Sequence, residues 1–227
     1  MAHGQALKRL QKHKKTLVQY VNDWLLLGKR VHKYNPKYPE WCPSCTSQVE
    51  DRSHLMTCPA TSQAKWRTEC ISNIRKEIDK HNTAHPIKEL LLEGLNTVLN
   101  NQSANNIQVN PEVADVAAAQ AAIGWNQILK GRFSKLWVMT QDRHMGQQTN
   151  SRVNGLMWTT RVKELILVEW LKMWMLQNED RHGCDIESRQ NAETRQTIHE
   201  LEQFYEAHDG KVTARLQWLF ADALEIR

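Results

Sequence analysis

Three of the chain's five cysteines and one histidine lie in the segment WCPSCTSQVEDRSHLMTCPA, residues 41–60. Cys42 and Cys45 have the C-x2-C spacing, and the proline between them favours a tight turn that directs two sulfurs at one ion. His54 and Cys58 are four residues apart, so on a helix they share one face. Together the four side chains make a Cys3His set, which is typical of Zn²⁺. The pattern therefore predicts a zinc site at Cys42, Cys45, His54 and Cys58.

This predicted zinc site leaves no position for a water molecule. Catalytic zinc usually keeps one position open, whereas a site closed by four protein ligands holds a fold together. The alternative, unpaired thiols in a loop, fits poorly because a proline-rich loop has little core in which to bury cysteines. Cys70 and Cys184 have no partner at ligand spacing and are interpreted as small buried apolar residues.

Helical patterns dominate the rest of the chain. Apolar residues recur at three- and four-residue steps and strand-like alternation is nearly absent, so we expect a mainly α protein, a helical bundle with a small inserted zinc knuckle. The first helix is predicted over about 5–28, ending near Gly28. A polar loop at 100–111 predicts a boundary between a first domain, 1–100, with the basic helix, the zinc knuckle and the following helices, and a second helical domain, 101–227. The second domain should end in an acidic helical hairpin that turns at Asp209-Gly210.

The formal net charge of +5 is unevenly distributed. Basic residues concentrate in 1–41 and 125–163 and acidic residues after 164, which favours a polyanion-facing part; basic residues that only line exposed helix faces are the open alternative. Lys8, Lys12 and Lys15 would form one ridge on the first helix. Tyr34, Tyr38 and Trp41 would be available to stack on unpaired bases. The predicted nucleic-acid contacts are Lys8, Lys12, Lys15, Lys29, Arg30, Lys33, Tyr34 and Lys37.

The sequence also indicates the cellular compartment of the protein. No apolar run reaches the roughly 18 residues that a membrane span needs, and the basic start lacks the apolar centre of a secretory signal. This indicates a reducing compartment, in which clustered cysteines more often mean metal binding or catalysis than disulfides. We expect an intracellular protein, nuclear or cytoplasmic, with no membrane partner.

The cysteine-rich segment resembles a known family. It is similar to the zinc-binding segment that follows the polymerase domain in reverse transcriptases of non-LTR retrotransposons, and GWNQILKGRFSKLW and WLKMWMLQNEDRHG resemble downstream segments of retroelement-derived proteins. The resemblance implies a retroelement-derived protein that binds nucleic acid, either DNA or RNA. The residues that carry it are Cys42, Cys45, Glu50 with Asp51, His54 with Leu55, Cys58 and Trp66.

The polymerase activity of that family is not expected here. Polymerisation needs paired carboxylates that hold two metal ions, and this sequence contains no Asp-Asp pair. His81 and His85, again four apart, would be a second metal pair, but no cysteine or carboxylate accompanies them at ligand spacing. We therefore expect a structural zinc and no catalysis.

Two functions remain from the sequence. The favoured hypothesis is a nucleic-acid-binding zinc protein. The alternative is a zinc-stapled helical module that contacts a protein partner, with the C-terminal helices as the contact surface. Salt distinguishes the two, because phosphate contacts weaken steeply as salt rises whereas an apolar interface does not.

Overall fold

The computed structural model describes residues 3–146, 154–183 and 186–208 of the 227-residue chain. Within these residues the secondary structure is helical, and the extended pairing found there is one bridge between Trp41 and Val49. The mainly α class with an inserted Cys3His segment is thereby confirmed. The described α-helices are α1 (His3–Lys12), α2 (Lys14–Val21), α3 (Gly28–His32), α4 (Arg52–Thr57), α5 (Thr61–Asp79), α6 (His85–Leu99), α7 (Ala114–Ile123), α8 (Lys135–Gly146), α9 (Gly155–His182) and α10 (Ile186–His208). Short 3₁₀ helices span Ala104–Asn106, Pro111–Val113 and Trp125–Lys130.

The N-terminal segment is not the single helix predicted over 5–28. α1 ends at Lys12, α2 ends at Val21, and Asp23 then adopts a left-handed backbone with φ 61°. A non-glycine residue in that conformation interrupts a right-handed helix. Lys130 holds Asp23 at this turn, with Nζ 2.6 and 2.7 Å from its two carboxylate oxygens. A tertiary contact thus overrides the local apolar periodicity.

Gly28 begins α3 instead of ending a helix. A Cβ atom at this position would lie 2.7 Å from the carbonyl oxygen of Glu40 and 2.9 Å from that of Pro39. Because such distances would force the backbone apart, only glycine fits without a shift. The glycine signal in the sequence therefore marks a close approach between two segments.

The hydrophobic core is built around α6 and α9. α6 packs against α5, α8 and the three 3₁₀ helices of the described chain. Its Leu91 and Leu95 are fully buried, as are Trp158 and Leu171 of α9. This region accounts for the apolar periodicity that predicted a helical bundle.

The chain divides after Gln177 into two compact units. The loop at 100–111, predicted as the boundary, lies inside the first unit, because the 3₁₀ helices Ala104–Asn106 and Pro111–Val113 both pack on α6. The division therefore falls at a different place from the predicted one. In the second unit the structure describes the end of α9 and α10; Cys184 and the second helix of the predicted acidic hairpin lie outside the described residues.

At 28 residues, α9 has the length that a membrane-spanning helix needs. Charged residues recur along it, among them the buried Glu169, whose Oε1 lies 2.5 Å from Lys172 Nζ. Across the described residues, every helix falls short of the length or the apolar content that crossing a bilayer requires.

Candidate metal centre

The first half of the candidate metal centre is a tight turn that carries Cys42 and Cys45. The Cys42 amide donates to the Gln48 carbonyl at 2.8 Å, and the Thr46 amide donates to the Cys42 carbonyl at 2.8 Å. Thr46 adopts a left-handed backbone with φ 55°, which lets the chain reverse within a few residues. The turn brings the two cysteine sulfurs to one place, as the C-x2-C spacing predicted.

The second half is α4 with the residue that follows it. Asp51 caps the N-terminus of α4, with Oδ1 accepting from the His54 amide at 3.1 Å. Partial burial would raise the pKa of Asp51, but hydrogen bonds from the His54 amide and neighbouring side chains lower it to about 2, so the cap is ionised. His54 lies within α4, and Cys58 lies one residue beyond its end. The sequence pattern placed Cys58 on the same helix as His54, whereas in the structure Cys58 is the C-cap residue of that helix.

The four predicted ligands converge on one point. Their ligand atoms all lie within 4.8 Å of one another, with Cys42 Sγ 3.7 Å from Cys58 Sγ and Cys45 Sγ 3.3 Å from His54 Nε2. Cys42 and Cys58 are fully buried, and His54 is 6% exposed. These four residues form a cluster that could hold a metal ion.

Protonation of the cluster depends on the contact between Cys42 and Cys58. A hydrogen bond from Cys58 lowers the pKa of the Cys42 thiol, and the same contact, with burial, raises the pKa of Cys58. Because thiolates bind metals and thiols do not, an incoming cation must displace the shared proton. Metal binding here would therefore release protons and would weaken as the pH falls.

Gln48 orients the ring of His54. The Nδ1 atom of His54 lies 2.8 Å from the side-chain oxygen of Gln48. Because an amide oxygen only accepts hydrogen bonds, Nδ1 carries the proton and Nε2 keeps its lone pair for the cluster. Partners of this kind fix the orientation of a metal-binding histidine.

Gln177 reaches the cluster from α9. Its side chain is 1% exposed, and its Nε2 lies 3.6 Å from Cys42 Sγ and 2.8 Å from Glu50 Oε1. Its Oε1 accepts from the Ser44 hydroxyl at 2.9 Å. One buried amide thus supports the sulfur of a predicted ligand and the turn that carries it, and a hydrogen bond to an ionised sulfur is stronger than one to a neutral group.

Glu50 joins α3 to the cluster. Its buried carboxylate accepts from the Gly28 amide as well as from Gln177. Its carbonyl accepts from the Lys29 amide at 3.2 Å, and its own amide donates to Glu40 at 2.7 Å. The start of α3, which carries several predicted nucleic-acid contacts, is therefore fixed to the metal centre.

The predicted nucleic-acid contacts are distributed over three helices and a loop. The break between α1 and α2 separates Lys15 from Lys8 and Lys12, so the three do not form the predicted ridge on one continuous helix. Lys29 is paired with Asp51 at 3.2 Å. Every member of the set is exposed; the set is Lys8 and Lys12 on α1, Lys15 on α2, Lys29 and Arg30 on α3, and Lys33, Tyr34 and Lys37 after it.

The second histidine pair makes no metal cluster. His81 Nδ1 lies 3.3 Å from a guanidinium nitrogen of Arg161, and His85 Nε2 lies 3.4 Å from Glu89. Across the described residues, the Cys3His group is the one set of cysteine, histidine and acidic side chains that meets at metal-binding distance.

Sequence reasoning missed two residues of the centre, Gln48 and Gln177. Gln48 lies between the cysteine pair and His54, but glutamine there fits no ligand pattern. Gln177 is 135 residues from Cys42, and no spacing rule spans that separation. The only signal at Gln177 is its place on the inner side of a long helix.

Comparisons with protein-family models, with curated proteins and with solved structures each gave no match to this chain. The described residues define a class by geometry alone: a helical protein with a Cys3His cluster able to hold a metal ion. The resemblance to retroelement reverse transcriptases stays a prediction.

Proposed function

We propose that the chain is a retroelement-derived nucleic-acid-binding protein in which the Cys3His cluster holds a structural Zn²⁺, and that it has no catalytic activity. Bonds of 2.3 Å from a tetrahedral Zn²⁺ place two sulfurs about 3.8 Å apart. The Cys42 and Cys58 sulfurs lie 3.7 Å apart, which fits that geometry. When bound, zinc would supply the bonds that join the cysteine turn to α4.

The donor set supports zinc over other common metals. Three thiolates and one imidazole are soft or borderline ligands, which disfavours Mg²⁺ and Ca²⁺. A closed set of four protein ligands leaves no coordination position for a substrate, which supports a structural role. The missing Asp-Asp pair supports the absence of polymerisation.

The nucleic-acid proposal rests on one observation: exposed basic residues project from α3 and the segment after it, beside the metal centre. Glu50 fixes the start of α3, so these residues extend from a rigid base. Within the described residues, no carboxylate pairs with Lys33 or Lys37. Cations without an acidic partner are suited to phosphate contacts. Lys8, Lys12 and Lys15 remain proposed contacts of a second basic patch.

The test is fluorescence anisotropy with labelled single- and double-stranded DNA and RNA at several salt concentrations. We expect affinity to fall steeply with salt. Replacing Lys33 and Lys37 with Gln should weaken binding and lower the log–log salt slope by up to roughly one unit per lost phosphate contact. The matched control replaces Lys65 and Lys76, two exposed lysines on α5 outside the basic segments, with Gln. No binding to any strand refutes the proposal, and equal losses in both variants refute the location.

A second candidate function is the zinc-stapled protein-interaction module. α10 favours it, because Ile198 and Leu201 are 50% and 49% exposed. An apolar interface of this kind would keep its affinity as salt rises. A partner that remains bound at high salt, and is lost when Ile198 and Leu201 are replaced by Ser, would support this function instead.

A further inference from the structure

A cavity of about 580 Å³ lies between α3 and the segment that carries the metal ligands. We propose that this cavity receives one unstacked base of a single-stranded nucleic acid, while the flanking phosphates contact its basic rim. The inference rests on the proposed nucleic-acid function and deepens it, because it names unpaired strands as the substrate class.

Most of the cavity floor is formed by apolar side chains. Leu25, Leu27 and Leu55 line it and are at most 7% exposed. The ring of Tyr20 also lines it and stacks on Trp170, with centroids 3.8 Å apart. Burial raises the pKa of Tyr20, so this part of the floor is uncharged. The volume falls in the range of about 300–1,000 Å³ that is usual for small-ligand sites, which is ample for one base.

The rim of the cavity carries basic groups that no carboxylate neutralises. Arg30 and Lys33 both line it and are exposed. The Arg30 guanidinium donates to the backbone carbonyl of Asp23 at 3.1 Å, a contact that orients it and leaves its charge intact. Within the described residues, neither cation forms an ion pair with an acidic side chain. The phosphates on either side of an inserted base would meet these two charges.

The acidic side chains of the lining are already occupied. Asp23 lies 3.0 Å from Arg52 Nε and 2.6 Å from Lys130 Nζ. Asp51 lies 3.2 Å from Lys29 Nζ. These two carboxylates already form ion pairs with other cations. The positive charges of Arg30 and Lys33 are therefore available to bind a ligand. The three carboxylates of the lining are Asp23, Asp51 and the buried Glu50.

Tyr34 supplies an aromatic face at the same rim. Its backbone is held by a hydrogen bond from its amide to Val31 at 3.0 Å, while its side chain is 81% exposed. Exposing so much of an aromatic ring to water is unfavourable. Stacking on a base would remove that ring surface from water. A base in a duplex stays within the helix stack, so only an unpaired or extruded base can reach the cavity.

The test compares two labelled ten-nucleotide strands with equal phosphate charge, oligo(dT) and a strand of abasic sites. We expect the protein to bind oligo(dT) about 5- to 150-fold more tightly, which is the range for one stacked base. Tyr34→Ala should reduce oligo(dT) affinity to that of the abasic strand, whereas Tyr34→Phe should retain most of the preference. Anisotropy titration at fixed salt measures both.

The control variant is Trp24→Ala. Trp24 is an aromatic residue, 57% exposed, that does not line the cavity. Equal wild-type affinity for the two strands would refute the base-binding cavity and leave the proposed function standing. A loss with Trp24→Ala as large as that with Tyr34→Ala would refute the location. Failure to bind either strand would also refute the base-binding cavity, and the proposed function would fall with it only if duplex DNA and RNA failed to bind in the same assay.

Discussion

The α6–α9 core and the metal segment at 41–60 are stabilised by different means. In the core, fully buried apolar side chains such as Leu91 and Trp158 each contribute on the order of 1.5–3 kcal/mol or more through burial. In the metal segment the buried groups include Glu50 and His54, and the one helix, α4, has six residues. A helix of that length is not stable alone in water. The metal segment therefore depends on hydrogen bonds and, under the proposed function, on a bound cation, whereas the core depends mainly on buried apolar area.

Because the two regions are stabilised differently, mutations in one region should leave the other intact. Removing a ligand should unfold the metal segment and spare the core. Removing core volume should lower the stability of the helical unit and leave the metal stoichiometry unchanged. Gln177 is the exception, because it belongs to α9 and contacts a ligand of the cluster.

The largest effect is expected from Cys45→Ser. Structural zinc contributes about 10–16 kcal/mol in small zinc domains, so loss of one ligand should abolish stoichiometric zinc. Amide exchange should accelerate across 41–60 while α6 and the middle of α9 stay protected. Elemental analysis and hydrogen-exchange mass spectrometry measure the two outcomes. Cys70→Ala, a buried cysteine outside the cluster, should keep its zinc; one zinc per chain in Cys45→Ser would refute the assignment.

An intermediate effect is expected from Leu91→Ala. The side chain is fully buried in α6, and truncation should lower the free energy of unfolding by about 2–5 kcal/mol. Urea denaturation measures this change. Leu156→Ala, at a position that is 61% exposed, should stay within about 0.5 kcal/mol of wild type. If native Leu91→Ala protein also lost its zinc, the two regions would not be independent.

The smallest effect is expected from Gln177→Met. This substitution tests the position at which α9 contacts the metal segment. Methionine nearly keeps the volume but removes the N–H groups that face Cys42 and Glu50. Loss of such an outer contact typically weakens metal affinity by about 10- to 100-fold. Competition with a chromophoric chelator at fixed pH measures it, and Gln108→Met, at an exposed position, is the control. Equal affinity in the two variants would show that the amide does not support the metal.

The Cys3His cluster was predictable because its four residues are local in sequence. The C-x2-C turn and the four-residue step between His54 and Cys58 each follow from short-range backbone geometry. The helical class was predictable for a similar reason, since periodicity over a few turns decides it. The end of α2 at Val21 was not predictable, because the turn after it contains Asp23, which is held by a residue 107 positions away. Trp24, which follows Asp23, is 57% exposed.

The supporting side chains of the site were beyond the reach of sequence patterns. Gly28 looks like a helix end, and only the approach of the Glu40 carbonyl shows what it does. Gln177 resembles any other polar residue on a helix. Its role depends on how α9 packs against the turn at Cys42, which is a property of the assembled core.

The separation of 135 residues between Cys42 and Gln177 also sets an order of events during synthesis. At about 5–20 residues per second, Gln177 is added roughly 7–27 s after Cys42, whereas all four ligands emerge close together. If the cluster holds Zn²⁺ as proposed, the nascent segment would be able to bind it well before the supporting amide is synthesised. Initial binding would then depend on the local turn and α4 alone. Gln177 is added late in synthesis. Its expected contribution is therefore to slow the release of bound metal from the finished protein.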